Sequence, residues 1–233
     1  MSAMTAVLPY HPHQHLHNTI RQFSDNIRVE KILLLHNGVA LPSLPKTEGM
    51  RVIAFPAGQA LNSVFKKIET DYALIVAQAV EIQFGQRALE RLLAVAESTG
   101  AGMLYSDFYE IKHGMRAEHP LNDHQLGSIR DNFDFGAVLL FNMSAVRATL
   151  KKYGAVARLE YAGWYDLRLK LSLGFNLFHL QEFLYAKVES DLRQSGEKQF
   201  DYVDPRNQAV QLEMEKVATQ HLRRLGAYLA PRF

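Results

Sequence analysis

The chain has 233 residues, of which 48% are hydrophobic, with 26 basic and 24 acidic side chains and no cysteine. This length and apolar content suffice for one large α/β domain or two small ones, and the nearly balanced charge excludes the basic stripe typical of nucleic-acid binders. The absence of cysteine excludes disulfides, thiolate metal sites and thiolate nucleophiles. Because the first residues lack the order of a signal peptide and no apolar run could span a bilayer, we expect a soluble, cytoplasmic protein.

Strands and helices are predicted to alternate along the first hundred residues. Short apolar runs typical of buried strands occupy residues 5–8, 29–35, 51–55, 72–76 and 102–105. Apolar side chains at helical spacing lie between them: Ile20 and Phe23, then Leu61, Val64, Phe65 and Ile68, then Leu89, Leu92, Leu93 and Ala96. This alternation predicts crossover units and a mostly parallel sheet with helices on both faces.

The second half of the chain has a less regular pattern. Residues 133–141 predict a strand entered through a turn, and Ser144 is expected to cap a helix that runs to about Tyr153. The leucines of residues 167–173 alternate as in a strand, although they also fit one face of a helix with Trp164. Residues 178–188 predict further strands, residues 190–200 an exposed polar loop, and Asp204 the cap of a last helix.

Several common catalytic motifs are absent from the sequence. No Gly-x-Gly-x-x-Gly follows the first strand and no Gly-Lys-Ser/Thr occurs, which argues against a dinucleotide-binding domain and a P-loop NTPase. Serine-hydrolase and zinc-peptidase motifs are also missing, and residues 133–136 lack the accompanying segments of a kinase. A sugar-nucleotide pyrophosphorylase would need a Gly-rich basic loop at residues 9–17, where the sequence has none.

Four histidines alternate near the N-terminus: His11, His13, His15 and His17. Imidazoles at this spacing are able to bind zinc or nickel. Pro12 interrupts the segment, however, and no carboxylate lies close in sequence. A solvated loop that leads into a helix is therefore the alternative interpretation.

Five segments in the first 190 residues carry a resemblance to a known family. They are Met4-Thr-Ala-Val-Leu-Pro-Tyr10, Leu33-Leu-Leu-His-Asn-Gly38, Pro56-Ala-Gly-Gln-Ala-Leu-Asn62, Gly100-Ala-Gly-Met-Leu-Tyr-Ser-Asp107 and Gly163-Trp-Tyr-Asp-Leu-Arg-Leu169. In the same order they resemble the opening strand, the Asp-Asp-Gly-Ser strand end, the Asn/Gly-rich helix entry, the Tyr-Ser-Asp segment and the base-carrying Glu-Asp-Trp-Asp-Leu helix start of family 2 glycosyltransferases. No single segment is decisive, but all five occur in the order of the family.

The resemblance implies a single GT-A-like α/β domain with a mostly parallel central sheet flanked by helices and a C-terminal helical extension. Residues 1–190 would bind the nucleotide sugar and the acceptor. Residues 191–233 would form a loop and a helix packed on this domain or on the partner subunit of a homodimer. The implied function is transfer of a sugar from a nucleotide-diphosphate sugar to a glycan or lipid-linked acceptor, with inversion, in polysaccharide biosynthesis.

The same resemblance assigns roles to individual residues. Asp166 would be the catalytic base, which removes the proton of the attacking hydroxyl. The nucleotide sugar would contact these residues: Pro9, Tyr10, His36, Asn37 and Asp107. Trp164 and Asp134 would bind the acceptor, with Trp164 stacking on an apolar sugar face. By their local sequence alone, Asp166 is equally an ordinary first-turn acid and Trp164 a core residue.

The metal-binding motif of the family is the main departure. The family ends its fourth strand in Asp-x-Asp and binds manganese or magnesium there, whereas this chain has Ala77-Gln78-Ala79. Two alanines provide only backbone carbonyls, and a hard cation needs several oxygen ligands. Asp107 or Glu81 is left as a source of one ligand. Use of a metal therefore stays open, and the alternative is a catalytically degenerate protein that binds a nucleotide sugar, a glycan or a protein partner.

Overall fold

The chain folds into a central sheet covered by helices in a computed structural model that describes residues 2–12, 14–188 and 205–230. The polar segment 190–200, the predicted capping residue Asp204, the proposed domain boundary near residue 190 and His13 lie outside these residues. The elements in chain order are β1 Met4–Pro9, α1 Gln14–Asp25, β2 Val29–His36, β3 Thr47–Arg51, α2 Gly58–Lys67, β4 Tyr72–Val76, β5 Glu81–Phe84, α3 Ala88–Thr99, β6 Met103–Lys112, β7 Met115–His119, β8 Val138–Asn142, α4 Met143–Tyr153, α5 Gly163–Ser172, β9 Leu177–Val188 and α6 Pro205–Leu225.

The strands of the described residues form one sheet in the order β3-β2-β1-β4-β8-β6-β9-β5, with β7 paired to β6. The half from β3 to β4 is parallel, and β8 is antiparallel to both β4 and β6. This arrangement confirms the predicted α/β class with a largely parallel sheet and flanking helices. It also brings the carboxyl ends of β1, β2, β3 and β4 to one edge, where ligands of open α/β sheets bind.

Apolar side chains leave the two faces of the sheet in alternation, as strand geometry requires. Ala6 and Leu8 of β1 pack into the layer that includes α1 and α3. Val7 points the other way, into the layer that includes α2, α4 and α5. The core is therefore divided into two layers, and helix α5, which bears the candidate acceptor residue Trp164, lies on the second one.

Helix α5 resolves the ambiguous leucine pattern in favour of a helix. Nine of its ten residues are buried, including the polar ones. A helix that is enclosed on all sides does not need a polar stripe, and its sequence therefore loses the helical period. Its first residue, Gly163, lies so close to α2 that a Cβ atom there would be 2.3 Å from the Pro56 carbonyl oxygen.

Three predicted details differ from the structure. The strand expected at residues 51–55 ends at Arg51 and begins at Thr47, because β3 is an edge strand whose exposed side chains need not be apolar. Helix α4 is capped by Asn142, whose side chain accepts hydrogen bonds from the backbone N–H groups of Ser144 and Ala145. The short strands β5 and β7 were not predicted, since both are short and β7 is almost wholly exposed.

No helix of the described residues combines the length and the apolar composition that a bilayer crossing requires.

Candidate active site

A cavity of about 270 Å³ lies between the sheet and helix α5, next to the residues that follow β4. Ala77 and Gln78 form its side toward the strand ends, and Met214 of α6 contributes from outside the sheet. Its walls are mainly aromatic and apolar: Met103, Phe133, Phe135, Leu139, Phe141, Trp164, Tyr165 and Leu167. The remaining polar lining side chains include Asp131, Asp134 and Arg168. The cavity thus combines flat apolar surfaces with a few charged groups, as is common for small-molecule sites.

The structure brings both predicted acceptor residues to this cavity. The indole of Trp164 stacks on Phe141, with ring centroids 5.6 Å apart and an interplanar angle of 8°. Asp134 is held by two contacts: its Oδ1 accepts a hydrogen bond from the Gly136 N–H at 2.8 Å, and its Oδ2 lies 3.0 Å from Nε2 of His119. Its side chain is still 58% exposed, so a ligand can reach it.

Asp166, the predicted base, does not line this cavity. Its side chain is 1% exposed, and its Oδ2 accepts hydrogen bonds from Nζ of Lys170 at 2.6 Å and from the Ala157 N–H at 2.8 Å. The reason is helical geometry: Trp164 faces the cavity, and a residue two positions later is rotated by about 200° around the helix axis. Asp166 therefore fastens the α4–α5 connection to α5.

Lys170 completes that connection from the next turn of the helix. Its Nζ also donates to the Ala155 carbonyl oxygen at 2.7 Å. The pair thus joins both ends of residues 155–157 to α5. The sequence gives a signal for it, since Asp166 and Lys170 are four residues apart on a helix.

Asp107, predicted for donor and metal binding, is also engaged within the protein. Its Oδ1 accepts a hydrogen bond from the Leu121 N–H at 2.7 Å and lies 2.8 Å from Nε2 of His179. Nδ1 of the same imidazole lies 2.7 Å from Oδ1 of Asp123, and the hydrogen bond from His179 lowers the pKa of Asp123. The imidazole stacks on Tyr105 with centroids 4.9 Å apart. Asp107 and His179 therefore hold residues 121–123 against β6 and β9.

His179 was missed by sequence reasoning. It lies within a strand whose other residues show no catalytic motif, and its partners are 72 and 56 residues away along the chain. Nothing in the sequence near residue 179 indicates this cluster.

The remaining predicted donor residues lie at the carboxyl ends of β1 and β2. Tyr10 follows Pro9 directly and is 4% exposed; its hydroxyl lies 3.2 Å from Nε2 of His17. His36 ends β2, and its Nδ1 accepts a hydrogen bond from the Gly38 N–H at 3.2 Å, while Asn37 is exposed. His36 is also paired in register with Arg51 of β3. These residues share the sheet edge but do not line the cavity.

The residues present do not fit a resident divalent cation. Within the described ranges, no group of three or more His, Asp or Glu side chains is placed to hold a metal ion. Ala77 and Ala79 offer no carboxylate, and the Asp107 carboxylate is engaged by Leu121 and His179. The histidine cluster near the N-terminus is untested, because His13 lies outside the described residues.

No protein-family model matches the sequence, and no curated protein matches it. Solved structures of S. aureus TarS, a family 2 glycosyltransferase, do match the fold. TarS 1–349 in complex with UDP-GlcNAc superposes with a TM-score of 0.60 at 11% identity, over 97% of this chain and 73% of that one. Its complex with UDP gives a TM-score of 0.61 at 11% identity, over 98% and 67%. This chain has a GT-A-like fold.

The similarity to TarS confirms the predicted resemblance at the level of the fold. A longer TarS structure matches with a TM-score of 0.56 at 10% identity, over 81% of this chain and only 37% of that one. The chain therefore spans little more than a third of that protein.

Proposed function

We propose that the chain is a glycosyltransferase that takes a sugar from a nucleotide-diphosphate sugar and transfers it to a glycan acceptor. The observation that carries this proposal is the position of the aromatic cavity: it lies in a GT-A-like fold, beside the residues that follow β4. TarS structures of the same fold contain UDP-GlcNAc and UDP.

The donor would bind along the carboxyl ends of β1, β2 and β3. His36 and Arg51 are the basic side chains paired there, and they are suited to the diphosphate. The exposed amide of Asn37 would meet the nucleoside. No step of this proposal depends on a metal ion, because the described residues do not fit one.

The acceptor would lie in the cavity with a sugar face on Trp164. In a single displacement, an acceptor hydroxyl attacks the anomeric carbon, the bond from that carbon to the diphosphate oxygen breaks, and the nucleoside diphosphate leaves. The hydroxyl proton passes to a carboxylate. Asp134 is the best-placed carboxylate for this role, because it lines the cavity, is exposed and is oriented by His119 and Gly136.

Calorimetric titration with a panel of UDP- and GDP-sugars tests donor binding, and release of the nucleoside diphosphate measures turnover. We expect one class of donor to bind, and Asp134→Asn to bind it unchanged while turnover falls about 100-fold or more. Asp25→Asn is the control, since Asp25 is exposed at the end of α1 and does not line the cavity, and this variant should keep turnover near the wild-type value. If no nucleotide sugar binds under any condition, the proposal is rejected.

A second function is favoured by two specific observations. Asp166 is buried against Lys170, and alanines replace the metal-binding acids. Both fit a degenerate protein that binds a nucleotide sugar without transferring it. Tight donor binding by the wild type, with neither transfer to acceptors nor hydrolysis of the donor, would favour this second function.

A further inference from the structure

Arg168 is a charged side chain that is enclosed in the protein. It is 6% exposed and lines the cavity from the second turn of α5. Its Nη2 donates to the Arg130 carbonyl oxygen at 2.6 Å, whereas Nη1 is buried and has no hydrogen-bond partner. Within the described part of the chain, no carboxylate forms an ion pair with it. A buried guanidinium is normally paired, so this one needs an explanation.

A second unpartnered donor lies one helical turn away. Trp164 and Arg168 are four residues apart on α5, and both line the cavity. The indole Nε1 of Trp164 is also buried without a partner. Residues at this spacing lie on the same face of a helix. Two adjacent residues that line the cavity therefore each carry a buried N–H donor for which the described residues provide no acceptor.

The surroundings of Arg168 compensate its positive charge only in part: burial lowers the pKa of the guanidinium overall, although the charges of Tyr165 and Asp131 oppose this. Its guanidinium carbon lies 4.9 Å from the ring of Tyr165 and 5.4 Å from that of Phe135. Burial and the nearby Arg168 charge lower the pKa of His124 to about 4. Burial, Arg224 and Arg168 likewise lower the pKa of His221. Both imidazoles are therefore neutral near pH 7 and add no charge beside Arg168.

We propose that Arg168 and Trp164 bind an anionic oxygen of the acceptor, which is therefore a saccharide that carries a phosphate or a carboxylate group. This inference rests on the proposed glycosyltransferase function, and it adds the chemical class of the acceptor. The apolar rings would hold the sugar face, the N–H donors would hold the anion, and Asp134 would meet the hydroxyl that reacts. Asp134 would disfavour an anion at its own position and so orient the acceptor in one direction.

The chain contains a built-in reporter for the test, since Trp164 is its single tryptophan. We would titrate the protein with glucose 6-phosphate, with glucuronate and with neutral methyl glucoside, and record tryptophan fluorescence. Saturable changes are expected with one or both anionic probes, and binding of the neutral probe should be roughly tenfold to hundredfold weaker. The anionic probe that binds more tightly identifies phosphate or carboxylate as the group.

Arg168→Met is the decisive variant, because methionine fills the same space without a charge. It should weaken binding of the anionic probes to the level of methyl glucoside, whereas Arg21→Met, at an exposed position on α1, should leave their binding unchanged. Thermal unfolding checks that Arg168→Met is folded, and Arg168→Lys keeps the charge as a second test and should retain part of the affinity. Equal binding of neutral and anionic probes, or unchanged anion binding in Arg168→Met, would overturn the proposal.

Donor binding is measured separately, by calorimetry with nucleotide sugars. If donors bind and anionic saccharides do not, the inference about the acceptor fails while the proposed function stands. If anionic saccharides bind and no nucleotide sugar does, the proposed function fails and the anion site remains.

Discussion

At the scale of single residues, the two aspartates considered as the catalytic base, Asp134 and Asp166, occupy opposite environments. Asp134 is exposed in the cavity, whereas Asp166 is enclosed and paired with Lys170. Aspartates only 32 positions apart thus differ in what they can do: an exposed carboxylate can accept a substrate proton, and an enclosed one stabilises its neighbours. The difference decides which of them is worth testing as a base.

We predict that Asp166→Asn mainly reduces stability. The change leaves the ammonium group of Lys170 enclosed without its carboxylate, and breaking a buried pair in this way costs about 3–5 kcal/mol. Urea unfolding followed by circular dichroism measures the loss. A double variant, Asp166→Asn with Lys170→Met, should recover part of it, because no unpaired charge remains.

A result of the opposite kind would restore Asp166 as the base. If Asp166→Asn had wild-type stability and donor affinity but no turnover, the catalytic role predicted from the sequence would be supported instead.

At the scale of elements, helix α6 is joined to α5 by one carboxylate. Glu213 accepts hydrogen bonds from the backbone N–H groups of Glu160, Tyr161 and Ala162 at 2.8–3.0 Å. These N–H groups belong to the three residues directly before α5, so Glu213 fixes the segment that leads into this helix. Met214, the next residue, lines the cavity, so the same contact places one of its walls.

We predict that Glu213→Gln loosens α6 in a pH-dependent way. Burial raises the pKa of Glu213, but the three backbone donors and Lys216 outweigh it, and the pKa is lowered overall. Because this pKa is lowered on folding, the stability that the Glu213 carboxylate contributes is complete at pH values above its ordinary pKa near 4.5. That stability disappears as the pH falls through the pKa of Glu213 in the folded state. At pH 7 the variant should lose about 1–3 kcal/mol of stability.

Urea unfolding at a series of pH values measures this difference. The gap between wild type and Glu213→Gln should shrink below pH 4.5. Glu215→Gln, at an exposed position on the same helix, is the control and should show no such gap. A gap that is independent of pH would contradict the assigned role of the carboxylate.

We also predict that Gly163→Ala disturbs the contact between α5 and α2. The added Cβ would lie 2.3 Å from the Pro56 carbonyl oxygen and 2.7 Å from the Gly58 nitrogen, both backbone atoms that cannot turn away. Overpacking of this kind costs about 1–3 kcal/mol. Gly174→Ala is the matched control, because a Cβ there meets no atom within 4 Å. Thermal melts of the two variants should differ clearly, and equal melting temperatures would refute the close contact.

The elements also show where sequence reasoning succeeds and where it fails. Strands β1, β2 and β4 were predicted because buried strands are continuous apolar runs. The edge strand β3 was misplaced because its exposed residues do not form a continuous apolar run. Helix α5 was ambiguous because an enclosed helix has no polar face, and only the resemblance favoured the helix.

At the scale of the whole molecule, the proposed donor and acceptor subsites lie at different positions along one edge of the sheet. The proposed donor residues lie where β1, β2 and β3 end, whereas the cavity begins at Ala77, directly after β4, and is completed by α5 and α6. The fold was predicted from the common order of five weak segments. The orientation of the Asp166 side chain was not predicted, because it depends on which side of the buried helix α5 faces the sheet.

We predict that donor binding does not depend on a divalent metal. The described residues offer no three-ligand site, so removal of metal with EDTA should leave the affinity for the donor unchanged. A donor at 100 times its dissociation constant should then stabilise the protein by about 2.7 kcal/mol with or without manganese. Melting curves under both conditions test this, and a tenfold gain in affinity with manganese would contradict it.

The cavity is assembled from residues that come later in the chain than the proposed donor edge, which is the carboxyl ends of β1, β2 and β3. Apart from Ala77 and Gln78, its lining starts at Met103 and extends to Met214, whereas the donor edge is complete by Arg51. Under the proposed function, acceptor preference can therefore drift by substitution or recombination in the second half of a gene while the donor half is inherited unchanged. We expect chimeras joined between α2 and β4 to exchange acceptors and keep the sugar that is transferred.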